Sequence, residues 1–212
     1  MISEKTVGRL SLYRRVLFGL LAEDRTHIFS RELAELVGGT AAQVRRDVMA
    51  LGYSGSPTHG YDIPHFIESI GRFLDAPLGQ PTALVGIGHL GSAILAYFSG
   101  RRPKLWIEAA FDNDPSRVNR LVHGCRAYPL QDLARIVQER GIHIGIVTVP
   151  PDQAQRVADQ LCEAGVYGLL NFAAVRLAVP KGVHVEDVDI IASFEKVAYF
   201  ARQRATAEHG LG

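Results

Sequence analysis

The sequence predicts an α/β protein in two parts: a helical N-terminal module of helix-turn-helix proportions, then a Rossmann-like parallel sheet closed by one further helix. Three observations carry this. Apolar residues recur at helical spacing over the first 78 residues. The stretch Asp75-Ala76-Pro77-Leu78-Gly79-Gln80-Pro81 then reads as a linker. Beyond it, short apolar runs alternate with amphipathic stretches, the pattern of parallel strands joined by crossover helices.

Val7, Leu10, Tyr13, Val16 or Leu17, Leu20 and Leu21 mark a first helix. Ser30 is placed to cap a second, which carries Leu33, Leu36 and Val37 and ends at Gly38-Gly39. Thr40 starts a third, with Gln43 completing a T-x-x-Q capping box. On that helix Val44, Val48 and Leu51 share one face, leaving Gln43, Arg45, Arg46, Asp47 and Ala50 at or near the exposed side. Gly52, Gly55, Pro57 and Gly60 suit a short hairpin, and residues 65–74 a further helix. After the linker, strands are expected at 82–87, 105–111, 142–149 and 168–172, with helices at 91–98, 130–140 and 152–164 between them. Residues 188–204 form a last helix. The expected domains are therefore 1–78, 79–187 and 188–212.

The chain of 212 residues is 47% hydrophobic and 21% charged, enough apolar content to build cores of ordinary size. A net charge of +1 gives no bulk signal for nucleic acid or membrane, so any DNA contact must come from a local patch. Two cysteines, Cys125 and Cys162, are too few for a disulfide framework. With no signal-peptide core and no apolar run near the ~18 residues of a membrane span, the expected location is the cytoplasm.

The most specific motif is Gly86-Ile87-Gly88-His89-Leu90-Gly91, a G-x-G-x-x-G run placed after a strand and before a helix. Gly86 permits a tight turn, Gly88 lets the backbone approach a pyrophosphate, and Gly91 lets helix and strand pack closely. The helix N-terminus then offers free N–H groups and its positive dipole end to phosphate. The second strand ends in an acid, Asp112, 26 residues after Gly86. A carboxylate there accepts hydrogen bonds from ribose hydroxyls and repels a 2′-phosphate, which favours NAD(H) over NADP(H). Two other strand ends, Thr148-Val149-Pro150 and Asn171-Phe172, share the carboxyl edge and are candidates to line the nicotinamide pocket. The architecture is also compatible with CoA or with no nucleotide at all.

No acid–base constellation accompanies this motif. The eight histidines are scattered without metal-ligand spacing, and Cys162 lies inside an amphipathic helix. This favours a sensor over a catalyst, with a small NAD-dependent oxidoreductase and a CoA-binding or scaffolding protein as alternatives. In the N-terminal module the exposed Gln43, Arg45 and Arg46 could read base edges or hold phosphate. Arg15 and Arg31 add local positive charge, partly cancelled by nearby acids.

Together the two halves resemble the Rex family of redox-sensing transcriptional repressors. The resemblance is carried by Ser30-Arg31-Glu32-Leu33-Ala34, Thr40-Ala41-Ala42-Gln43-Val44-Arg45-Arg46-Asp47, Gly60-Tyr61, the glycine motif, Phe111-Asp112-Asn113-Asp114-Pro115, Thr148-Val149-Pro150, the segment 164–173 and Val188-Asp189. It implies a homodimer whose subunits each carry a winged helix-turn-helix domain, a Rossmann domain and a domain-swapped C-terminal dimerisation helix. It implies binding to palindromic double-stranded operator DNA when free or NAD⁺-bound, with release by NADH. On that pattern the DNA-binding set is Arg15, Arg31, Thr40, Gln43, Arg45, Arg46, His59 and Tyr61, with Arg15 near the domain interface. Tyr97 and Asp189 match residues of a state-dependent contact between domains or subunits. Two positions depart from the family: Arg46 stands where lysine is usual, and the wing, residues 56–61, carries His59 and no arginine.

Overall fold

Ser3 accepts the Thr6 amide and starts α1 (Glu4–Ala22), which buries Leu10, Tyr13, Leu17 and Leu20 at helical spacing. In this computed structural model residues 2–100 and 104–209 are described. The chain divides into two compact units, residues 1–78 and 79–212.

In the first unit α1 is followed by β1 (His27–Ile28), α2 (Ser30–Val37), α3 (Ala41–Ala50), β2 (Tyr61–Asp62) and α4 (Ile63–Leu74). Ser30 is the first residue of α2, not its cap. Phe29 occupies the cap, and the Glu32 carboxylate accepts the Phe29 amide at 2.8 Å. Gly38 closes α2 in the left-handed region at φ 66°. Thr40 caps α3 by accepting the Gln43 amide at 3.2 Å, while the Gln43 side chain turns elsewhere. The α4 helix starts two residues before the expected point. Pro64 lies in its first turn, where a missing N–H does no harm, and Asp62 accepts the His65 amide. β1 and β2 pair antiparallel, and Ser56 and Gly60 exchange two backbone hydrogen bonds at the tip that follows α3. One apolar cluster unites these elements around Tyr13, Ile28, Val44, Val48 and Phe66.

The second unit is built on β3 (Gln80–Val85), α5 (His89–Phe98), β4 (Leu105–Asp112), β5 (Leu121–Val122), β6 (Cys125–Pro129), α6 (Leu133–Glu139), β7 (Ile144–Val147), α7 (Pro151–Glu163), β8 (Gly168–Asn171), β9 (His184–Asp187) and α8 (Ile190–His209). The strands form one sheet in the order β5-β6-β4-β3-β7-β8-β9, parallel throughout except for β5. Successive residues of β3 point to opposite faces. Ala83 and Val85 join the cluster that holds α6 and α7, whereas Leu84 joins the one that holds Ile94 and Leu95 of α5.

Three strands of this unit were not expected: β5, β6 and β9. They sit toward the sheet edges, and their burial is broken by exposed positions, so no apolar run announces them. The expected helix at 130–140 opens instead as a 3-10 turn, Leu130–Asp132, before α6. Asp189 Oδ1 accepts the Ala192 amide and caps α8. This helix leaves Ile190, Ile191, Phe194, Val197 and Phe200 exposed, each by at least 59%. No helix among the described residues is long and apolar enough to cross a membrane.

Candidate functional site

The carboxyl edge of the sheet is shaped by three glycines. Gly86 leaves β3 at φ 103°, where a Cβ would lie 2.8 Å from the Thr148 carbonyl oxygen. A Cβ on Gly91 would strike the Gly86 carbonyl oxygen, so the first turn of α5 presses directly onto the loop. At Gly88, the N-cap of α5, the nearest atom to a notional Cβ is Arg117 Nη1 at 3.9 Å. A side chain at Gly88 would therefore meet no close protein atom. Thr148 ties the turn down from the next strand, its hydroxyl lying 2.9 Å from the Val85 carbonyl and 2.8 Å from that of Gly86.

A cavity of about 690 Å³ opens above this edge. Gly86, Gly88, His89, Leu90, Asp112, Thr148, Val149, Pro150 and Phe172 all line it. The α5 N-terminus faces the cavity at His89 and Leu90, and its first amides have no intrahelical acceptor. Ile87 and Gly91 act from behind, as framework. Leu130 and Val157 add apolar lining, and Gln153 enters from the first turn of α7. Asn113, Asp114 and Arg117 also line the cavity, although the sequence reading assigned none of them to the nucleotide site. Their signal was present: all three follow Asp112 within five residues.

The expectation for Asn171 needs correction, and Asp112 has a structural role that the sequence did not announce. Its Oδ2 accepts the Ile87 amide at 2.6 Å and its Oδ1 the Asp114 amide at 2.8 Å. Arg117 Nη1 stands 3.5 Å from Oδ2. Asp112 thus holds the glycine loop while also lining the cavity. Arg117 also pairs with Asp114 at 3.2 Å, and Ser116, through its hydroxyl and amide, holds the Asp114 carboxyl below its ordinary range. Asn171 does not enter the cavity at all. It is 1% exposed and bonds Val175 O and Asp187 Oδ1 through Nδ2, and the Ala173 amide through Oδ1. Its neighbour Phe172 lines the cavity instead. Asn171→Ala is expected to lower unfolding free energy by about 2 kcal/mol through orphaned buried partners. Denaturant unfolding checks it, and an unchanged midpoint would show those bonds to be unimportant.

Burial pushes both thiols up, Cys125 to about 11, so they remain protonated packing groups.

The second set of expected residues gathers around α3 in the first unit. Arg45 and Arg46 are exposed on it. Arg45 Nη1 reaches Ser30 Oγ at 3.2 Å, and Arg46 Nη2 reaches Gln43 Oε1 at 3.2 Å. Thr40 caps the helix. Arg15 is exposed on α1, and Arg31 pairs with Glu35 on the surface of α2. His59 is exposed at the tip after α3, bonded to Thr58 Oγ1 at 2.9 Å.

Two residues differ from expectation. Asp47 is not on the exposed side: it is 3% exposed, and Arg9 and Tyr13 of α1 hold it. Tyr61 is 8% exposed, its ring 5.3 Å from Phe66 and 6.0 Å from Tyr53. It belongs to the core, and burial raises its phenol pKa. In the second unit Tyr97 is 58% exposed on α5, its ring edge-on to Phe98. Asp189 caps α8.

Residues 80–175 match the family described as CoA binding domain, and residues 1–48 match the putative DNA-binding protein N-terminus. The redox-sensing transcriptional repressor Rex of Limosilactobacillus reuteri is 40% identical over 205 residues, 95% of this chain and 94% of that protein. Its namesake in Listeria welshimeri is 36% identical over 199 residues, 94% and 93% of the two chains. The crystal structure of RSP in complex with β-NAD⁺ and operator DNA superposes with a TM-score of 0.87 at 30% identity, covering 99% of this chain and 96% of that one. RSP in complex with β-NADH gives 0.86 at 29%, covering 99% and 98%. Two halves, one end-to-end match: the chain belongs to the Rex family of redox-sensing transcriptional repressors.

Proposed function

We propose that this chain represses transcription in response to the NADH/NAD⁺ ratio. It binds a palindromic operator when free or NAD⁺-bound and leaves it when NADH binds. The observation that carries this is the pairing, in one chain, of an arginine-bearing helix-turn-helix with a glycine-framed cavity. RSP has been solved both with NAD⁺ on operator DNA and with NADH.

In this reading the α5 N-terminus and Gly88 take the pyrophosphate. The ribose end falls to Asp112, Asn113 and Asp114. The nicotinamide enters between Val149, Pro150 and Phe172. The pyrophosphate grip is common to both redox forms, so discrimination belongs to the apolar end. A neutral dihydronicotinamide enters such a pocket at lower desolvation cost than the cationic oxidised ring. Release then requires NADH to prefer the arrangement that cannot hold DNA, and linkage requires DNA to weaken NADH by the same factor. The dinucleotide is a signal here, not a reagent, and the chain is a cytoplasmic regulator rather than an enzyme.

Residues 1–78 form the DNA-reading domain, 79–187 the ligand domain and 188–212 the dimerisation helix. The occupant of the apolar α8 face is a second copy of this chain, exchanged as a swapped helix, with Tyr97 and Asp189 in the contact that changes with ligand. Phe194→Asp is expected to shift the dimer toward monomer by at least 10-fold in dissociation constant, read by sedimentation. A dimer of unchanged affinity would place the interface elsewhere.

The test of function is operator binding during titration with NADH, NAD⁺, NADPH and CoA. NADH alone should release the DNA at low concentration; equal release by NADH and NAD⁺ would remove redox sensing. Arg46→Ala should weaken operator binding by about 1–3 kcal/mol while NADH affinity stays the same. Unchanged operator affinity would take α3 out of the groove.

A further inference from the structure

Asp47 sits beneath the exposed side of α3 with four hydrogen bonds on two oxygens. Arg9 donates from Nε to Oδ2 at 2.6 Å and from Nη2 to Oδ1 at 2.8 Å. Tyr13 OH donates to Oδ2 at 2.9 Å, and Gln43 Nε2 to Oδ1 at 3.1 Å. An ionised carboxylate can only accept. Gln43 must therefore turn its amide nitrogen inward and its oxygen outward. That outward oxygen accepts Arg46 Nη2 at 3.2 Å.

The chain of bonds thus runs from α1 through the underside of α3 to a side chain on its exposed face. One of the two Gln43 N–H groups is taken by Asp47 and one lone pair of its oxygen by Arg46, so the amide plane is tied to these two partners rather than free to turn toward a base. Arg46 keeps its other guanidinium nitrogens for a guanine O6/N7 pair, and its plane is oriented from below.

We propose that Asp47 is a positioning residue for base selectivity: it sets the Gln43 amide, which orients the Arg46 guanidinium toward guanine. This rests on the reading of α3 as the recognition helix. Gln43 is then a support of the arginine and not a base reader.

The test uses the full chain and a set of palindromic duplexes substituted symmetrically, one position at a time, at several salt concentrations. The proteins are wild type, Gln43→Met, Asp47→Asn and the double variant. Wild type should prefer guanine at one position by about 10-fold or more, the size of a good bidentate contact. Gln43→Met and Asp47→Asn should each bring that preference within about 3-fold, with the salt dependence unchanged because phosphate contacts are kept. The double variant should be no worse than Gln43→Met, since Asp47 acts through Gln43.

Additive losses, or a loss spread evenly over all duplexes, would make Asp47 merely structural and overturn the proposal. Gln43→Met leaves the Arg9–Asp47 pair in place, so full discrimination in that variant overturns the proposal even if Asp47→Asn does not fold. Wild type that treats operator and random duplex alike would overturn the recognition-helix reading itself. Wild type that discriminates, with Gln43→Met doing the same, would overturn the relay and leave that reading standing.

Discussion

Gly91→Ala is expected to give a repressor that folds, binds its operator and no longer lets go when NADH is added. The added methyl has no room, because it meets the Gly86 carbonyl oxygen and lies 3.0 Å from Thr148 Oγ1. Both neighbours are held: Thr148 Oγ1 lies on the Gly86 carbonyl, and the loop amide of Ile87 is on Asp112. The α5 N-terminus must therefore lift off the turn, and the amides proposed to hold pyrophosphate move with it. Overpacking of this kind costs about 1–3 kcal/mol. Its burden falls on the ligand cradle, so NADH affinity should drop on the order of 100-fold, about 2.7 kcal/mol. Calorimetric titration with NADH, set beside operator binding by the same preparation, checks it. NADH affinity within a few-fold of wild type would mean that the helix does not need to touch the loop.

Arg9→Met should be the most destabilising surface-reaching substitution in the first unit, by about 3 kcal/mol. It strands a carboxylate that is 3% exposed and leaves it only Tyr13 and Gln43 as donors. The pH dependence gives this a sign. Burial opposes ionisation of Asp47, but the hydrogen bonds from Arg9, Tyr13 and Gln43 outweigh it, and the folded pKa is lowered. The pair's contribution is thus present above the unfolded pKa of about 3.9 and is lost as pH falls through the folded value. In Arg9→Met the burial penalty prevails and the folded pKa rises above the unfolded one. The variant should regain stability as pH falls toward about 4, where wild type does not. Denaturant unfolding at several pH values between about 4 and 7 decides this, and parallel profiles for the two proteins would show that Arg9 does not hold Asp47 ionised.

The central strands and α5 and α7 were legible because burial on both faces writes apolar runs, and because glycine and proline mark their ends. The glycine motif was legible for a stronger reason: Gly86 and Gly91 each answer a separate steric demand, a positive φ against Thr148 and close contact with the Gly86 carbonyl. Asp47 was not legible. An acid between two arginines and an apolar stripe reads as solvated, and its partner Arg9 is 38 residues away. Tyr61 misled in the opposite way, since a tyrosine after a wing glycine looks like a contact, yet its ring completes an aromatic cluster with Tyr53 and Phe66. Asn171 and Phe172 adjoin in sequence but divide the work between loop anchoring and cavity wall. Local pattern cannot see that division, because it depends on where β9 and residue 175 return.

The bond from the Ile87 amide to Asp112 also bears on how fast the protein can respond. A loop already held in shape needs no ordering when a dinucleotide arrives, so arrival is governed by diffusion and by how much ligand is present. Affinity differences then reside in departure. On the proposed placement, the time a subunit remembers a past burst of NADH is set by how long the reduced ring stays beside Phe172. A variant tuned to detect scarcer NADH would, for that reason, follow its fluctuations more slowly.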